Sequence, residues 1–275
     1  MRNRWIILIS AVLLSGLVAD PGGASTADVV PVDGAHGVWT VRPVGASTRV
    51  RRVLGATSSW STTVAGNWSL PEVAARHLVG GASADGSALA LIQPPIAYAG
   101  WTHFAVVTRT IVKRVGLRGR WGFDALSVDG RTMFLTESVG NDRYWVRPIE
   151  VATGRVGDPI VTKSITPTSV ELDGGPMEGL PMDRLVTADG ITVFTLYDGP
   201  AFPFIHALNV TNGGALCYEL IGSLKGSVTQ LRLRLGSEPG SVDVRFDRET
   251  VAQIWTPSSL YGPSVRIAGT ANAPR

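Results

Sequence analysis

The segment Arg120–Arg155 reads RWGFDALSVDGRTMFLTESVGNDRYWVRPIEVATGR and predicts the fold of the whole chain. An Asp-Gly pair separates two apolar runs within it, which is a strong signal for a tight turn between antiparallel strands. A variable loop and a third strand follow, and a second turn stands at Thr153-Gly154. This order of strands and turns is typical of a sheet built from consecutive hairpins.

The same turn recurs along the chain. Copies stand as SADG at residues 83–86, as TADG at residues 187–190 and, in a degraded form, as SEPG at residues 237–240. The turns begin 44 to 60 residues apart, and periods of this size made of short strands are typical of radial arrays. We therefore predict an all-β chain, a β-propeller of five or six four-stranded blades. Seven blades or a β-sandwich are the alternatives, although a sandwich gives no reason for the same order of elements to return.

The chain divides into three parts by composition. Residues 1–27 carry Arg2 and Arg4 before an apolar run and end on small residues, which predicts a secretory signal, cleaved or retained as an anchor. Residues 28–267 contain the repeats and form the predicted propeller domain, and residues 268–275 are predicted to be a disordered tail. We expect an extracytoplasmic protein, secreted or associated with the cell envelope, with no integral membrane span after cleavage.

The composition and the motifs exclude several classes of function. The formal net charge is only +3, which is too weak to indicate nucleic acid binding, because that requires a clustered basic face. No P-loop, dinucleotide, zinc-protease or hydrolase-elbow motif occurs, and the four histidines are scattered along the sequence. We therefore assign no catalytic residue, no metal ligand and no cofactor. The one cysteine, Cys217, lies in an apolar run and is predicted to be a buried structural residue.

Polar residues that interrupt the repeat pattern are the candidate binding residues. Asp124 and Arg184 stand at equivalent places in consecutive repeats, and His206 takes a strand position where the neighbouring copies have Arg or Ala. The aspartates of the turns are predicted to be structural, because an Asp side chain bonds its own backbone two residues on. The long connection 164–179 supplies a second group, since loops are free to specialise. This group consists of Glu171, Asp173 and Glu178.

The segment Trp121–Gly130 resembles the FDALSPDG blade motif of secreted or membrane-anchored actinobacterial proteins with WD40-like or YVTN-type β-propeller repeats. Three later segments are similar to further elements of the same group, and the resemblance covers roughly Leu70–Leu220. The chain departs from the pattern at Val128, where Pro is usual, and at Pro148, inside a predicted strand. The resemblance implies a propeller located outside the cytoplasm, and it carries over no catalytic residue.

The leading hypothesis for function is a non-enzymatic binding or interaction module that uses loops on one face of the propeller. Its ligand is not identified by the sequence, and a cell-envelope protein or a glycan is the expected partner. The rival is an enzyme, a hydrolase or lactonase-like propeller whose residues converge on the central channel. Fold alone does not separate the two. Carboxylates and histidines converging around an ion would favour the enzyme, and an apolar or aromatic-rimmed face would favour binding.

Overall fold

The structure of the chain is a computed structural model, which describes residues 28–31, 37–54, 58–75, 77–94, 100–140, 142–165, 175–221, 227–238, 240–256 and 263–267. The predicted signal 1–27 and the predicted tail 268–275 lie outside these ranges, as do Glu171 and Asp173. In the part of the chain described here, no helix has the length and apolar character needed to cross a membrane.

Strands account for nearly all regular structure in the described ranges, with one short 3-10 helix, Val228–Gln230. The strands are β1 (Asp28–Pro31), β2 (Val38–Val44), β3 (Ser47–Leu54), β4 (Ser58–Ala65), β5 (Glu72–Ala74), β6 (Leu78–Val79), β7 (Ala88–Ile92), β8 (Trp101–Thr108), β9 (Val112–Arg118), β10 (Trp121–Leu126), β11 (Thr132–Gly140), β12 (Arg143–Glu150), β13 (Thr162–Ser164), β14 (Met177–Glu178), β15 (Leu180–Val186), β16 (Thr192–Asp198), β17 (Phe204–Asn209), β18 (Ala215–Glu219), β19 (Leu231–Leu235), β20 (Ser241–Phe246), β21 (Glu249–Trp255) and β22 (Ser264–Ile267).

In the described part of the chain, five sheets of three or more strands follow one another in sequence. Sheet 1 contains β1–β4, sheet 2 contains β7–β9, sheet 3 contains β10–β12, sheet 4 contains β15–β18 and sheet 5 contains β19–β22, and within each of them consecutive strands pair. Ser69 and Ala82 each bridge to β7 and supply an irregular inner strand for sheet 2. The hairpin β5–β6 is inserted between these two bridges. The predicted four-stranded pattern is therefore regular in sheets 1 and 5 and modified in sheet 2.

The connection predicted as a long loop over residues 164–179 begins and ends in sheet structure. Its first residue closes β13, which pairs in parallel with β18 at the outer edge of sheet 4. Its last residues include β14, which pairs with β12 of sheet 3. The connection thus starts at the end of β13 in sheet 4 and contributes β14 to sheet 3, and Met177 packs in the apolar core between the two sheets.

The sheets pack face to face in the order of the chain. Buried apolar residues form four clusters, and these join sheets 1 and 2, sheets 2 and 3, sheets 3 and 4, and sheets 4 and 5. The strands that follow the predicted turns, β7, β11 and β16, are buried on both faces, because neighbouring sheets cover them on either side. This explains why their sequences are nearly continuous apolar runs rather than alternating ones.

The repeated turns have the expected geometry. In each, a Ser or Thr hydroxyl donates to the Asp carboxylate two residues on, and the same carboxylate accepts the backbone N–H two residues further. The hydroxyl-to-carboxylate distances are 2.7 Å for Ser83 and Asp85, 2.8 Å for Ser127 and Asp129 and 2.6 Å for Thr187 and Asp189. The glycines that follow have φ between 65° and 70°, a region that Gly adopts without strain. The structural role predicted for these aspartates is confirmed.

The inner edges of sheets 2 and 4 meet although sheet 3 separates them in the chain. A Cβ added to Gly190 would lie 1.8 Å from the Cβ of Ala84, so the turns of these two sheets are in close contact. The Ala75 N–H donates to the Pro181 carbonyl at 2.8 Å, which joins hairpin β5–β6 to β15. Sheets stacked in series whose inner edges converge form a propeller, not a two-layer sandwich, and the predicted fold class is confirmed. The number of blades in the whole chain stays a prediction.

Candidate functional site

Asp124 lies at an irregularity of the inner strand β10. The register of β10 against β11 shifts between Phe123 and Ala125, so Asp124 is the extra residue of a β-bulge. A bulge redirects a side chain that strict alternation would send to the other face, and bulges are frequent beside functional sites. The equivalent strand β15 has its own register shift, between Pro181 and Asp183.

Arg184 pairs with Asp124 across the interface between sheets 3 and 4. Its Nη2 donates to Asp124 Oδ1 at 2.8 Å, and the two side chains are only 8% and 3% exposed. A buried charge loses its hydration, and only a close partner of opposite charge compensates that loss. The two candidates that the repeat pattern singled out are therefore in direct contact.

His206 lies in the same interface. Arg184, Thr195, His206 and Cys217 occupy directly opposed positions on β15, β16, β17 and β18, which places them in one row across sheet 4. The His206 ring is buried, with Nε2 at 3.3 Å from Thr162 Oγ1. Burial lowers the pKa of His206 to about 4, with Asp124 opposing the shift and Arg184 adding to it. At neutral pH this imidazole is uncharged.

Two tyrosines that the sequence analysis did not single out complete the cluster. Tyr144 and Tyr197 face each other across the interface with ring centroids 5.9 Å apart, and Tyr197 stacks on Phe204 at 5.0 Å. Burial raises the pKa of both tyrosines well above the ordinary value; the neighbouring Tyr197 adds to the rise for Tyr144, and Asp124 adds to it for both residues. Both residues therefore stay protonated and keep a hydroxyl available for hydrogen bonding.

Two buried polar atoms of this cluster lack a hydrogen-bond partner among the described residues: Asp124 Oδ2 and the Tyr144 hydroxyl. Buried polar atoms are nearly always paired in proteins, with the protein itself, with water or with a ligand. Asp124, Tyr144 and Tyr197 also line a cleft of about 370 Å³. Asp124 and Tyr144, the residues that carry the unpaired atoms, thus line an open cavity, and the two atoms themselves are buried behind its surface.

The cleft lies between hairpin β5–β6, the inner strand β10 and the start of β15. Glu72, Arg120, Asp142 and Arg143 contribute two acidic and two basic side chains to its lining, and all four are exposed. Trp121 contributes a buried aromatic wall, and its Nε1 donates to the Arg118 carbonyl at 2.9 Å. Charged groups of both signs therefore surround a floor of aromatic and polar side chains.

The remaining candidates come from the long connection. Glu178 is exposed and lies opposite Arg143 in the β12–β14 pairing, and its neighbour Gly179 lines the cleft. Glu171 and Asp173 lie outside the described residues. The structure thus brings together Asp124, Arg184 and His206 and places Glu178 next to the same cleft. The tyrosines gave no signal in the sequence, because their strands looked like ordinary apolar strands.

Metal binding and the thiol of Cys217 are the two features of the described ranges that bear on catalysis. These ranges hold no cluster of three or more His, Cys, Asp or Glu side chains arranged to bind a metal ion. Cys217 is buried, as predicted, and burial raises the pKa of its thiol, with Glu219 adding to the rise. The nucleophilic form of a cysteine is the thiolate, so this environment disfavours it.

Comparisons with known proteins extend to the fold only. No protein-family model matches the chain, and no curated protein matches it. Among solved structures, TolB from Acinetobacter baumannii shares 13% identity at a TM-score of 0.42 over 87% of this chain and 56% of its own. A structure from an analysis of two prolyl endopeptidases shares 11% identity at a TM-score of 0.47, and the match covers 90% of this chain and 37% of that protein. The β-propeller domain of Swd1 from Myceliophteria thermophila shares 12% identity at a TM-score of 0.39, and the match covers 90% of this chain and 68% of that domain.

The chain spans 56% and 37% of the first two of these proteins. At such identities and TM-scores the similarities transfer neither a ligand nor an activity to this chain. Its function has to be argued from its own residues.

Proposed function

We propose that this β-propeller is an extracytoplasmic binding module for a component of the cell envelope, and that its binding site is the cleft between sheets 3 and 4. One observation carries the proposal. Asp124 Oδ2 and the Tyr144 hydroxyl are buried at the cleft and have no partner among the described residues. The extracytoplasmic location rests on the charged, apolar and small residues of segment 1–27.

An unpaired buried polar group costs about 1–3 kcal/mol. A ligand that hydrogen-bonds to both atoms would recover part of this free energy on binding, so the free protein is prepared for a polar ligand. The surrounding side chains are held in place by the Asp124–Arg184 ion pair and by the stacked Tyr197 and Phe204 rings. A site that is rigid before binding loses little conformational entropy when the ligand arrives.

The long connection 164–179 belongs to the same proposal. It ends in β14, whose Glu178 lies opposite Arg143 beside the cleft. We propose that Glu171, Asp173 and Glu178 add contacts to a ligand seated in the cleft. Loops that border a rigid site are the part of a scaffold most free to specialise.

The rival function, a hydrolase or lactonase-like enzyme, gains no specific support. Neither Cys217 nor His206 shows the activation that covalent or general-base chemistry needs, because burial raises the pKa of the thiol and lowers that of the imidazole. Turnover of an ester or lactone panel by the wild-type protein would establish the enzyme in place of the binding module.

The proposal is tested by blocking the cleft. Ser138 lines it and is exposed, so Ser138→Trp fills the cavity without entering the apolar core. The matched control is Ser61→Trp, at an exposed position of β4 in sheet 1. We expect Ser138→Trp to abolish retention of the protein on immobilised cell-envelope fractions, and Ser61→Trp to leave it intact. Equal retention of both variants would move the site to another surface.

A further inference from the structure

The chemistry of the cleft narrows the class of ligand. Resting on the binding function proposed above, we infer that the cleft binds a neutral saccharide, with Asp124 Oδ2 accepting a hydrogen bond from one sugar hydroxyl and the Tyr144 hydroxyl bonding a second oxygen. Three properties of the described residues lead to this ligand class: the balance of charge, the hydrogen-bonding capacity of the unpaired atoms and the aromatic walls.

The balance of charge favours an uncharged ligand. Among the residues that line the cleft, Glu72 and Asp142 oppose Arg120 and Arg143, so the exposed charges of the lining itself sum to zero, and Glu178 lies outside this lining. Asp124 also lines the cleft, and Arg184, which lies behind it, already neutralises its charge at 2.8 Å. A phosphate or carboxylate would be drawn to Arg120 and Arg143 but would approach Asp124, and an ammonium group next to Asp124 would compete with the Arg184 guanidinium that already pairs with it. A neutral polar ligand meets neither repulsion.

The hydrogen-bonding capacity of the unpaired atoms matches hydroxyl groups. An ionised carboxylate oxygen only accepts hydrogen bonds, whereas a tyrosine hydroxyl both donates and accepts. Sugar hydroxyls also both donate and accept, so neighbouring hydroxyls of one ring satisfy Asp124 Oδ2 and the Tyr144 oxygen together. A peptide backbone offers one donor and one acceptor per residue at fixed spacing, so a dipeptide is the competing ligand for the experiment.

The walls and the volume suit a sugar ring. Trp121 and Tyr197 line the cleft with 9% and 2% of their surface exposed, and the hydrogen bond from Trp121 Nε1 to the Arg118 carbonyl holds the indole in place. The apolar C–H face of a pyranose packs on such rings while its hydroxyls point to polar groups. A volume of about 370 Å³ falls in the range of small-ligand sites.

The test uses two matched tyrosine variants. Tyr144 and Tyr218 each carry a buried hydroxyl without a partner among the described residues, but only Tyr144 lines the cleft, while Tyr218 packs between sheets 4 and 5. The wild type, Tyr144→Phe and Tyr218→Phe are titrated by calorimetry with maltose, cellobiose, trehalose and N,N′-diacetylchitobiose. Alanyl-alanine and inorganic phosphate serve as peptide and anion probes.

We expect at least one of the four saccharides to bind the wild type, and Tyr144→Phe to weaken that binding about fivefold through the lost hydrogen bond. Tyr218→Phe should bind like the wild type. Absence of saccharide binding, equal affinities of the two variants, or binding of alanyl-alanine or phosphate in place of a sugar would each overturn the inference. If retention on envelope fractions still disappears in Ser138→Trp, the binding function stands and only the ligand class is wrong.

Discussion

Arg184 Nη2 donates to Asp124 Oδ1 at 2.8 Å, and the two residues occupy the same position of consecutive repeats. The same position of the repeat is thus occupied by a carboxylate in sheet 3 and by a guanidinium in sheet 4. An apolar cluster joins sheets 3 and 4 as it joins the other neighbouring sheets, and the ion pair adds a buried charged contact to this interface. We interpret the ion pair as a device that fixes how sheets 3 and 4 meet and that shapes the cleft beside it.

The first prediction concerns this ion pair. Asp124→Leu and Arg184→Met each leave one buried charge without its partner, and each should lower the free energy of unfolding by about 3–5 kcal/mol. The double variant removes both charges and should be far less destabilised than the sum of the single variants. Urea denaturation of the four proteins measures this coupling.

A surface pair provides the control. Glu150 and Arg155 form an ion pair at 3.3 Å whose side chains are 43% and 76% exposed, and such pairs contribute about 0–1 kcal/mol. Glu150→Gln should therefore change stability little. Purely additive effects at Asp124 and Arg184 would contradict the assigned role of their contact.

The second prediction concerns the turns. Asp129→Ala and Asp189→Ala each remove an acceptor for a hydroxyl and for a backbone N–H. Each should lower the free energy of unfolding by about 1 kcal/mol, the net value of a local hydrogen bond, while retention on envelope fractions is unchanged. Asp158→Ala, at an exposed position, is the matched control. Loss of retention at an unchanged melting temperature would show that these aspartates bind ligand.

The third prediction concerns pH. Burial lowers the pKa of His206 from 6.5 to about 4 in the folded protein, so between these values the unfolded chain takes up a proton that the folded protein does not. Stability should therefore fall as the pH drops from about 6.5 to about 4, by up to about 3 kcal/mol for this group. His206→Gln should flatten this part of the stability profile measured by denaturation.

His77 serves as the comparison with the opposite sign. Its pKa is raised by a hydrogen bond and by the charge of Glu72, and its side chain is exposed. A histidine with a raised pKa stabilises the folded state at low pH and loses that contribution as the pH rises. His77→Gln should therefore leave the acid-side decline in place. An unchanged decline in His206→Gln would show that this histidine does not cause it.

The fourth prediction concerns the long connection. Replacing residues 166–174 by a Gly-Ser linker keeps β13, Met177 and β14, which belong to sheets 3 and 4. The circular-dichroism signal of the sheets should be unchanged, and retention on envelope fractions should weaken because Glu171 and Asp173 are removed. The same replacement at residues 95–99, between β7 and β8 in the sequence, is the control. Full retention by the 166–174 variant would show that this connection is not part of the site.

The sequence predicted the local features of the structure better than its contacts across sheets. The turn at Asp129 depends on four consecutive residues, so its geometry could be predicted from them alone. The repeat frame also placed Asp124 and Arg184 at equivalent positions, which made them candidates. Their contact could not be predicted, because it depends on the bulge at Asp124 and on the packing of two sheets against each other.

Other residues of the cleft could not be recognised as site residues from the sequence. Tyr144 and Tyr197 lie in strands whose patterns indicate burial but not which residues meet across the interface. The hairpin β5–β6 interrupts the inner strand of sheet 2 and reaches β15, a contact between segments about 100 residues apart. The residue pattern of one strand does not show which distant segment that strand contacts.

The central claim is that ligand binds in the cleft between sheets 3 and 4, and photocrosslinking tests it most directly. Leu180 lines the cleft and is 60% exposed, whereas Ile111 is 52% exposed in the turn between β8 and β9 of sheet 2 and does not line it. A benzophenone amino acid is placed at either position, and the protein is irradiated on cell-envelope fractions. We predict a crosslinked product from position 180 and none from position 111. Crosslinking from position 111 alone, or from neither position, would contradict the account.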